Sequence, residues 1–245
     1  MIKEIEADAK QFADPRRTLI QAEKKAVAEV KIVDEPVTVV VSQKGWVRAR
    51  TGHGHEAASF AFKAGDGLYG TFECRTVDPL IVIGSNGRVY SVAVSALPGA
   101  RGDGQPITTM IELESGTQPL HYLAGQVDQT VLLANSGGFG LLAKLGDLIT
   151  RQKGGKGFQT LDEGDKVLPP VLVQPAHTQV ACLSEDGRML VFGLDELKLQ
   201  SNGGRGLTLM DVDAQKAPLI SVASCHNGVR VIGTTRGAKP KEEDV

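Results

Sequence analysis

The chain has 245 residues, 41% of them hydrophobic but only 4% aromatic, with 29 glycines and a formal net charge of −2. That length can bury a substantial core, and the near-neutral balance excludes a globally basic polyanion binder, so any nucleic-acid contact would need its cations segregated on one face. No apolar run approaches the ~20 residues of a membrane span, and the start, with Glu4, Glu6 and Asp8, lacks the basic and apolar regions of a secretory signal.

The expected compartment is therefore the cytoplasm, with no membrane partner. Cys74, Cys182 and Cys225 are an odd count at wide spacing, which argues for reduced, partly buried thiols over a disulfide framework.

In chain order, Ile2, Ile5, Ala9 and Phe12 fall near helical spacing and predict a helix over residues 1–12, stopped at Asp14-Pro15 because a residue before proline avoids the helical region. A polar stretch rich in Ala, Glu and Lys follows from Arg16 to Glu35 and reads as a connector. Residues 1–35 are thus a helical end piece and linker, and Pro36 marks the boundary of the main domain, 36–238.

From there one pattern recurs. An apolar run ends in a tight turn closed by glycine and re-enters an apolar run at Gly45, Gly87, Gly138, Gly187 and Gly228, spaced 41 to 51 residues apart. A period of that size means a propeller-like array. The first runs are VTVVV at 37–41, LIVIG at 80–84, TVLLA at 130–134, VACL at 180–183 and LISVA at 219–223. Each reads as the first strand of a β-hairpin, since such turns select Asn, Asp and Gly.

Beyond each hairpin lies a glycine-dense loop, as in RQKGGKG at 151–157 and NGGRG at 202–206. A third short strand follows, at 58–62, 107–113, 158–161 and 207–212, and then a weak fourth, such as LYGTFECRT at 68–76. The fifth repeat stops after its hairpin. Either AVAEVKIV at 26–33 completes it or the array is an open ring, and residues 239–245 read as a charged tail.

Enzymatic constellations are missing. There is no GxSxG, HExxH or P-loop, the five histidines have no zinc-ligand spacing with the cysteines, and RQKGGKG lacks the Walker spacing and its Ser or Thr. No catalytic, cofactor or metal residues are expected.

What recurs is cations. Arg48, Arg88, Arg188 and Arg230 lie one to three residues past a turn glycine. Arg151, Lys153, Lys156 and Arg205 fall in the glycine loops, and Lys144 closes the third hairpin. Repeats stacked around an axis would place such residues in a belt suited to a curved polyanion, with loop glycines donating amides to phosphate. The competing reading is that they guard strand edges and aid solubility.

The whole chain resembles the C-terminal domain of the DNA-binding subunit of bacterial type IIA topoisomerases, on its topoisomerase IV branch, the ParC type. EIEADAKQFADPRRT at 4–18 is similar to the end of that family's cleavage core, EPVTVVVSQKGWVRARTGH at 35–53 to its first blade, and MLVFGLDEL at 189–197 to its fourth. The resemblance implies an all-β fold: a five-repeat β-pinwheel preceded by a short α-helical connector.

It also implies sequence-independent binding and bending of duplex DNA on a basic rim, presenting a segment to the cleavage core for decatenation or relaxation. The implied partners are double-stranded DNA, the cleavage core upstream in the same polypeptide and, indirectly, the ATPase subunit; the implied place is the nucleoid. The gyrase branch carries QRRGGKG in its first blade. Here the nearest match is RQKGGKG in the third repeat, which favours the topoisomerase IV branch. The nucleophilic tyrosine of the family has no counterpart, so catalysis by this chain alone is not expected. The alternative is a propeller that docks proteins, although the WD dipeptide is absent and Trp46 is the sole tryptophan.

Overall fold

The computed structural model describes residues 1–12, 33–99, 102–234 and 239–245. It has two units, 1–31 and 32–245. In the first, α1 spans Ile2–Phe12, as the helical spacing predicts, with none of its residues buried. Asp14-Pro15 and nearly all of 16–35 and 26–33 lie outside the described residues.

The second unit is built of repeats. The first has β1 (Pro36–Ser42), β2 (Trp46–Thr51) and β3 (Leu68–Arg75). The second has β4 (Pro79–Gly84), β5 (Arg88–Ala93), β6 (Gln105–Pro106) and β7 (Pro119–Ala124). The third has β8 (Thr130–Ala134), β9 (Phe139–Lys144), β10 (Lys156–Gly157) and β11 (Val171–Val173). The fourth has β12 (Gln179–Ser184), β13 (Met189–Gly193), β14 (Leu207–Thr208) and β15 (Leu219–Cys225), and β16 (Arg230–Thr234) with β17 (Pro240–Asp244) ends the array.

The sheets do not coincide with the repeats. Their strand orders are β3-β1-β2-β6, β10-β5-β4-β7, β11-β8-β9-β14 and β13-β12-β15, with β16-β17 as a separate hairpin. The two-residue strand of each middle repeat therefore completes the sheet of the repeat before it: β6 pairs β2, β10 pairs β5 and β14 pairs β9, all antiparallel. This is the strand exchange of a β-pinwheel, and the all-β expectation holds.

Three local expectations change. The segment 219–223 was expected to open the fifth repeat, but β15 pairs only β12 and is the third strand of the fourth sheet. Residues 239–245 were expected as a tail; instead β17 pairs β16 from Arg230↔Asp244 to Thr234↔Pro240 and supplies the partner that β15 does not. The third-strand column is mostly absent. Residues 57–59 and 107–109 are 3-10 turns, and only Leu207-Thr208 of 207–212 is strand. The expected weak fourth strand is long and well paired in β3, which matches β1 over its whole length.

Packing follows from strand alternation, since successive side chains face opposite sides of a sheet. Leu80 and Val82 join Val39, Val41 and Val47 in the core between the first two sheets, while Ile81 and Ile83 face Val131, Leu133 and Leu141 on the other side. Leu132 and Leu142 then meet Val180, Cys182 and Leu219. Each fully buried Val, Leu or Ile contributes roughly 1.5–3 kcal/mol, so face-to-face stacking of sheets is the main term holding the array together. The three cysteines are free and buried, and burial pushes the Cys74 and Cys182 thiols up to about 12.

Candidate nucleic-acid interface

After each second hairpin strand a short 3-10 turn, at Val94–Ala96, Leu145–Leu148 or Leu194–Glu196, sends the chain back across the preceding sheet. Each crossover loop docks at the fourth residue past the neighbour's turn glycine. The Ala49 amide donates to the Pro98 carbonyl at 2.9 Å, Ser91 Oγ to the Thr150 carbonyl at 2.7 Å, and the Gln200 amide to the Leu142 carbonyl at 2.8 Å. Pro98 and Gly99 and the loops 149–154 and 198–205 thus occupy equivalent edges of successive sheets.

The loop glycines serve this docking. A Cβ on Gly104, Gly155 or Gly206, each at positive φ, would sit 2.3, 2.6 or 2.1 Å from the carbonyl oxygen of Val47, Val89 or Gly140. Only glycine tolerates both the backbone conformation and the contact. The expected role of Gly155 in cradling phosphate gives way to this close approach between neighbours.

The nine sequence-derived cations divide by what they touch. Arg48 is buried, 6% exposed; its guanidinium donates to the carbonyls of Gly102 (2.6 Å) and Ala61 (2.7 Å) and lies 5.3 Å from the centre of the Phe62 ring. Arg88 donates to the carbonyls of Gly154 and Gly155 and pairs with Glu114 at 3.2 Å. Lys144 Nζ donates to Thr130 Oγ1 at 2.9 Å, and Lys156 Nζ to the Asp147 carbonyl at 2.6 Å. These four act within and between sheets, and Arg48, Arg88 and Lys156 supply donors to backbone carbonyls that the ladder leaves without one.

Three more are exposed but paired: Arg188 with Asp186, Arg205 with Asp162, and Arg230 with Asp244 and Glu242. Arg205 also covers the Phe139 ring at 4.0 Å. Exposed ion pairs are worth little to stability and exchange readily with another anion.

Arg151 and Lys153 remain. Both side chains are exposed and, among the described residues, have no ion pair or side-chain hydrogen bond. Sequence reasoning passed over Lys198, an exposed cation on the equivalent loop of the fourth repeat; its signal was its place just after the 3-10 turn. Arg151 and Lys153 thus lie exposed on one crossover loop and Lys198 on the equivalent loop of the next repeat, while Arg48 and Arg88 are engaged by backbone carbonyls.

A family model described as "DNA gyrase C-terminal domain, beta-propeller" matches residues 78–114, 129–173 and 178–225, more than half of the chain. The chain belongs to that family. Within the DNA gyrase C-terminal domain family, its resemblances fall on the topoisomerase IV side. It is 41% identical to the A subunit of DNA topoisomerase 4 from Neisseria gonorrhoeae over 252 residues, covering 99% of this chain and 32% of that protein. Against the same protein of Escherichia coli K12 the identity is 35% over 218 residues, 88% of this chain and 29% of the relative. The chain thus spans about a third of the length of these curated relatives.

The solved E. coli ParC C-terminal domain superposes with a TM-score of 0.77 at 31% identity, covering 86% of each chain. A DNA gyrase A C-terminal domain shares the fold at a TM-score of 0.58 and 20% identity, over 85% of this chain and 71% of that one. The third segment matched by the family model ends at Cys225, the last residue of β15, which independently assigns that strand to the fourth repeat. No helix among the described residues is long and apolar enough to cross a membrane, and no cluster of metal-ligating side chains occurs among them.

Proposed function

We propose that this domain binds duplex DNA without sequence preference along its crossover loops, bends it, and presents a segment to the cleavage core of a type IIA topoisomerase for decatenation or relaxation. The observation that carries this reading is the placement of Arg151, Lys153 and Lys198 on equivalent crossover loops, exposed and, among the described residues, without an ion pair. Lysine and arginine on long flexible stems suit phosphate, contact with which fixes position and carries no base information.

The balanced charge of the array limits how much DNA it bends. With about three phosphates neutralised, log affinity falls with log salt at a slope near −3, shallower than the −4 to −5 expected for about five. Smoothly bending a 20–30 bp site by 40–90° costs on the order of 1–6 kcal/mol, so binding is weak and bending modest. Titrating a fluorescent duplex with the domain at several salt concentrations tests this. A slope near −3 that is independent of sequence supports it, whereas no binding at low salt overturns it and moves a protein-docking propeller to the front.

A further inference from the structure

The first three sheets share a filled socket. The residue at the turn glycine accepts a hydrogen bond from the next repeat: Gly45 from the Ile107 amide at 2.9 Å, Gly87 from Gln159 at 2.9 Å, Gly138 from Leu209 at 2.8 Å. One residue on, Trp46, Arg88 and Phe139 pair with Pro106, Gly157 and Thr208. Two residues on, the carbonyls of Val47, Val89 and Gly140 abut Gly104, Gly155 and Gly206.

Each donor therefore reads Gly-x-x-apolar, and its apolar member, Ile107, Phe158 or Leu209, is buried to 3% exposure or less. Turn glycines 45, 87 and 138 are buried beneath these donors.

The fourth sheet has the same socket with nothing in it among the described residues. Gly187 keeps the positive φ of its counterparts, yet it is exposed and has no atom within 4 Å of a built Cβ. Met189 and Val191 stand where Val47 and Ala49 do, and Val191 is 40% exposed. β13 pairs only β12.

Arg188 occupies the position of Arg88, which clamps two donor-loop carbonyls; it reaches only Asp186 and, at 3.4 Å, the Asp211 carbonyl. Where the buried anchor would fall, a cavity of about 320 Å³ lies between this sheet and β16, lined by Ala181, Leu183, Met189, Ile220, Val229 and Val231.

We propose that the β13 edge is an acceptor for an extended segment of a partner protein with the sequence pattern Gly-x-x-(Leu, Ile or Phe). The segment adds antiparallel beside Arg188 and Met189, seats its apolar residue in the cavity and offers carbonyls to the Arg188 guanidinium. The interface continues the one this chain builds three times internally, and main-chain pairing with one side-chain pocket is the general mode of strand addition. The first repeat presents no such donor among the described residues, because its chain runs from the 3-10 turn at 57–59 directly into β3, so copies of the domain do not chain head to tail through this socket.

The test uses the unaltered domain and a ten-residue peptide copying residues 203–212, the donor of the third sheet. Amide chemical shifts are followed during titration. The expected result is saturable binding with shifts confined to Gly187, Arg188, β13 and the cavity residues, weakened about tenfold or more when the peptide carries Gly206→Val, since a branched side chain cannot take the positive φ.

Shifts centred on Phe139 and Gly140 would mean the peptide displaces its parent strand, and equal binding of the Gly206→Val peptide would mean nonspecific adhesion; either overturns the proposal. The same shifts appearing without peptide as protein concentration rises would make a second copy the occupant and also overturn it.

Discussion

The guanidinium of Arg88 donates to the carbonyl oxygens of both Gly154 and Gly155, at 3.0 Å each. A cation that the sequence pattern places on a DNA-facing belt is thereby the clasp between the second and third repeats, holding the loop that carries Arg151 and Lys153. The loop's free cations are positioned by a bound one.

Replacing Arg88 with alanine leaves those two carbonyls without a donor in a partly buried setting, which costs roughly 2 kcal/mol at the scale of hydrogen bonds to charged groups. Urea unfolding should show the loss. Arg88→Lys should recover less than half of it, because a lysine ammonium, although it has three donors, lacks the rigid planar array that aims Nε and Nη2 at these carbonyls. A full rescue by lysine would mean the clasp acts by charge alone.

The double substitution Arg151→Ala and Lys153→Ala should weaken duplex binding for every sequence and reduce the salt slope by about 2. Its melting temperature should stay close to that of the parent, since exposed side chains without partners contribute within about 0.5 kcal/mol. Arg48→Ala should do the reverse, lowering stability and leaving the salt slope unchanged. Calorimetry paired with the same titration separates the two, and a salt slope altered by Arg48→Ala would return that residue to the interface.

Gly206→Ala should destabilise by more than ~2 kcal/mol, combining the left-handed penalty with a methyl forced onto the Gly140 carbonyl. At Gly187 the φ is the same, +84, but the space is open, so Gly187→Ala should cost only ~1–2 kcal/mol. Chemical denaturation of the pair measures the neighbour's share, and equal losses would deny the close approach.

His121 links three repeats. Its Nε2 donates to the Val167 carbonyl at 3.3 Å, which leaves Nδ1 to accept from the Tyr69 hydroxyl at 3.2 Å. Burial pushes its pKa below the ordinary histidine value. The unfolded chain therefore binds the proton more readily, and stability is full above about pH 6.5 and declines as pH falls from there toward the folded-state value. Urea midpoints between pH 7.5 and 5 should fall more in the parent than in His121→Asn; parallel falls would assign the effect to other groups.

The repeat itself was legible because its signals are local. A turn that needs positive φ selects glycine, and Gly45, Gly87, Gly138 and Gly187 each close a hairpin where the pattern places one. The exchanged strands were not, since two residues such as Gln105-Pro106 have no periodicity, and their pairing is set by Trp46 and Val47 some sixty residues earlier.

The same distance hid the work of Gly155 and Gly206, which look like phosphate-cradling glycines until the carbonyl each one abuts is seen. Arg48 and Arg151 are indistinguishable as letters. Only the aromatic floor of Phe60 and Phe62 and the carbonyls above it separate a buried arginine from a free one. LISVA at 219–223 was misplaced because a third strand with a buried face has the composition of a first. The spacing Gly-x-x-apolar after each crossover loop was the signal that would have marked the exchanged strands.

Donation in this array runs one way: the second repeat completes the first sheet, the third the second, the fourth the third. On a ribosome that emits the chain from its N-terminus, no sheet can close when its own residues have emerged. Val47 waits for Gly104 and Ile107, and Val89 for Gly155 and Phe158, so the edge of each second hairpin strand stays bare, its socket empty, for the time of roughly sixty further peptide bonds. The nascent domain carries one unfinished edge that moves along it as synthesis proceeds, and the interval in which that edge can capture a wrong strand is set by translation speed over a single repeat.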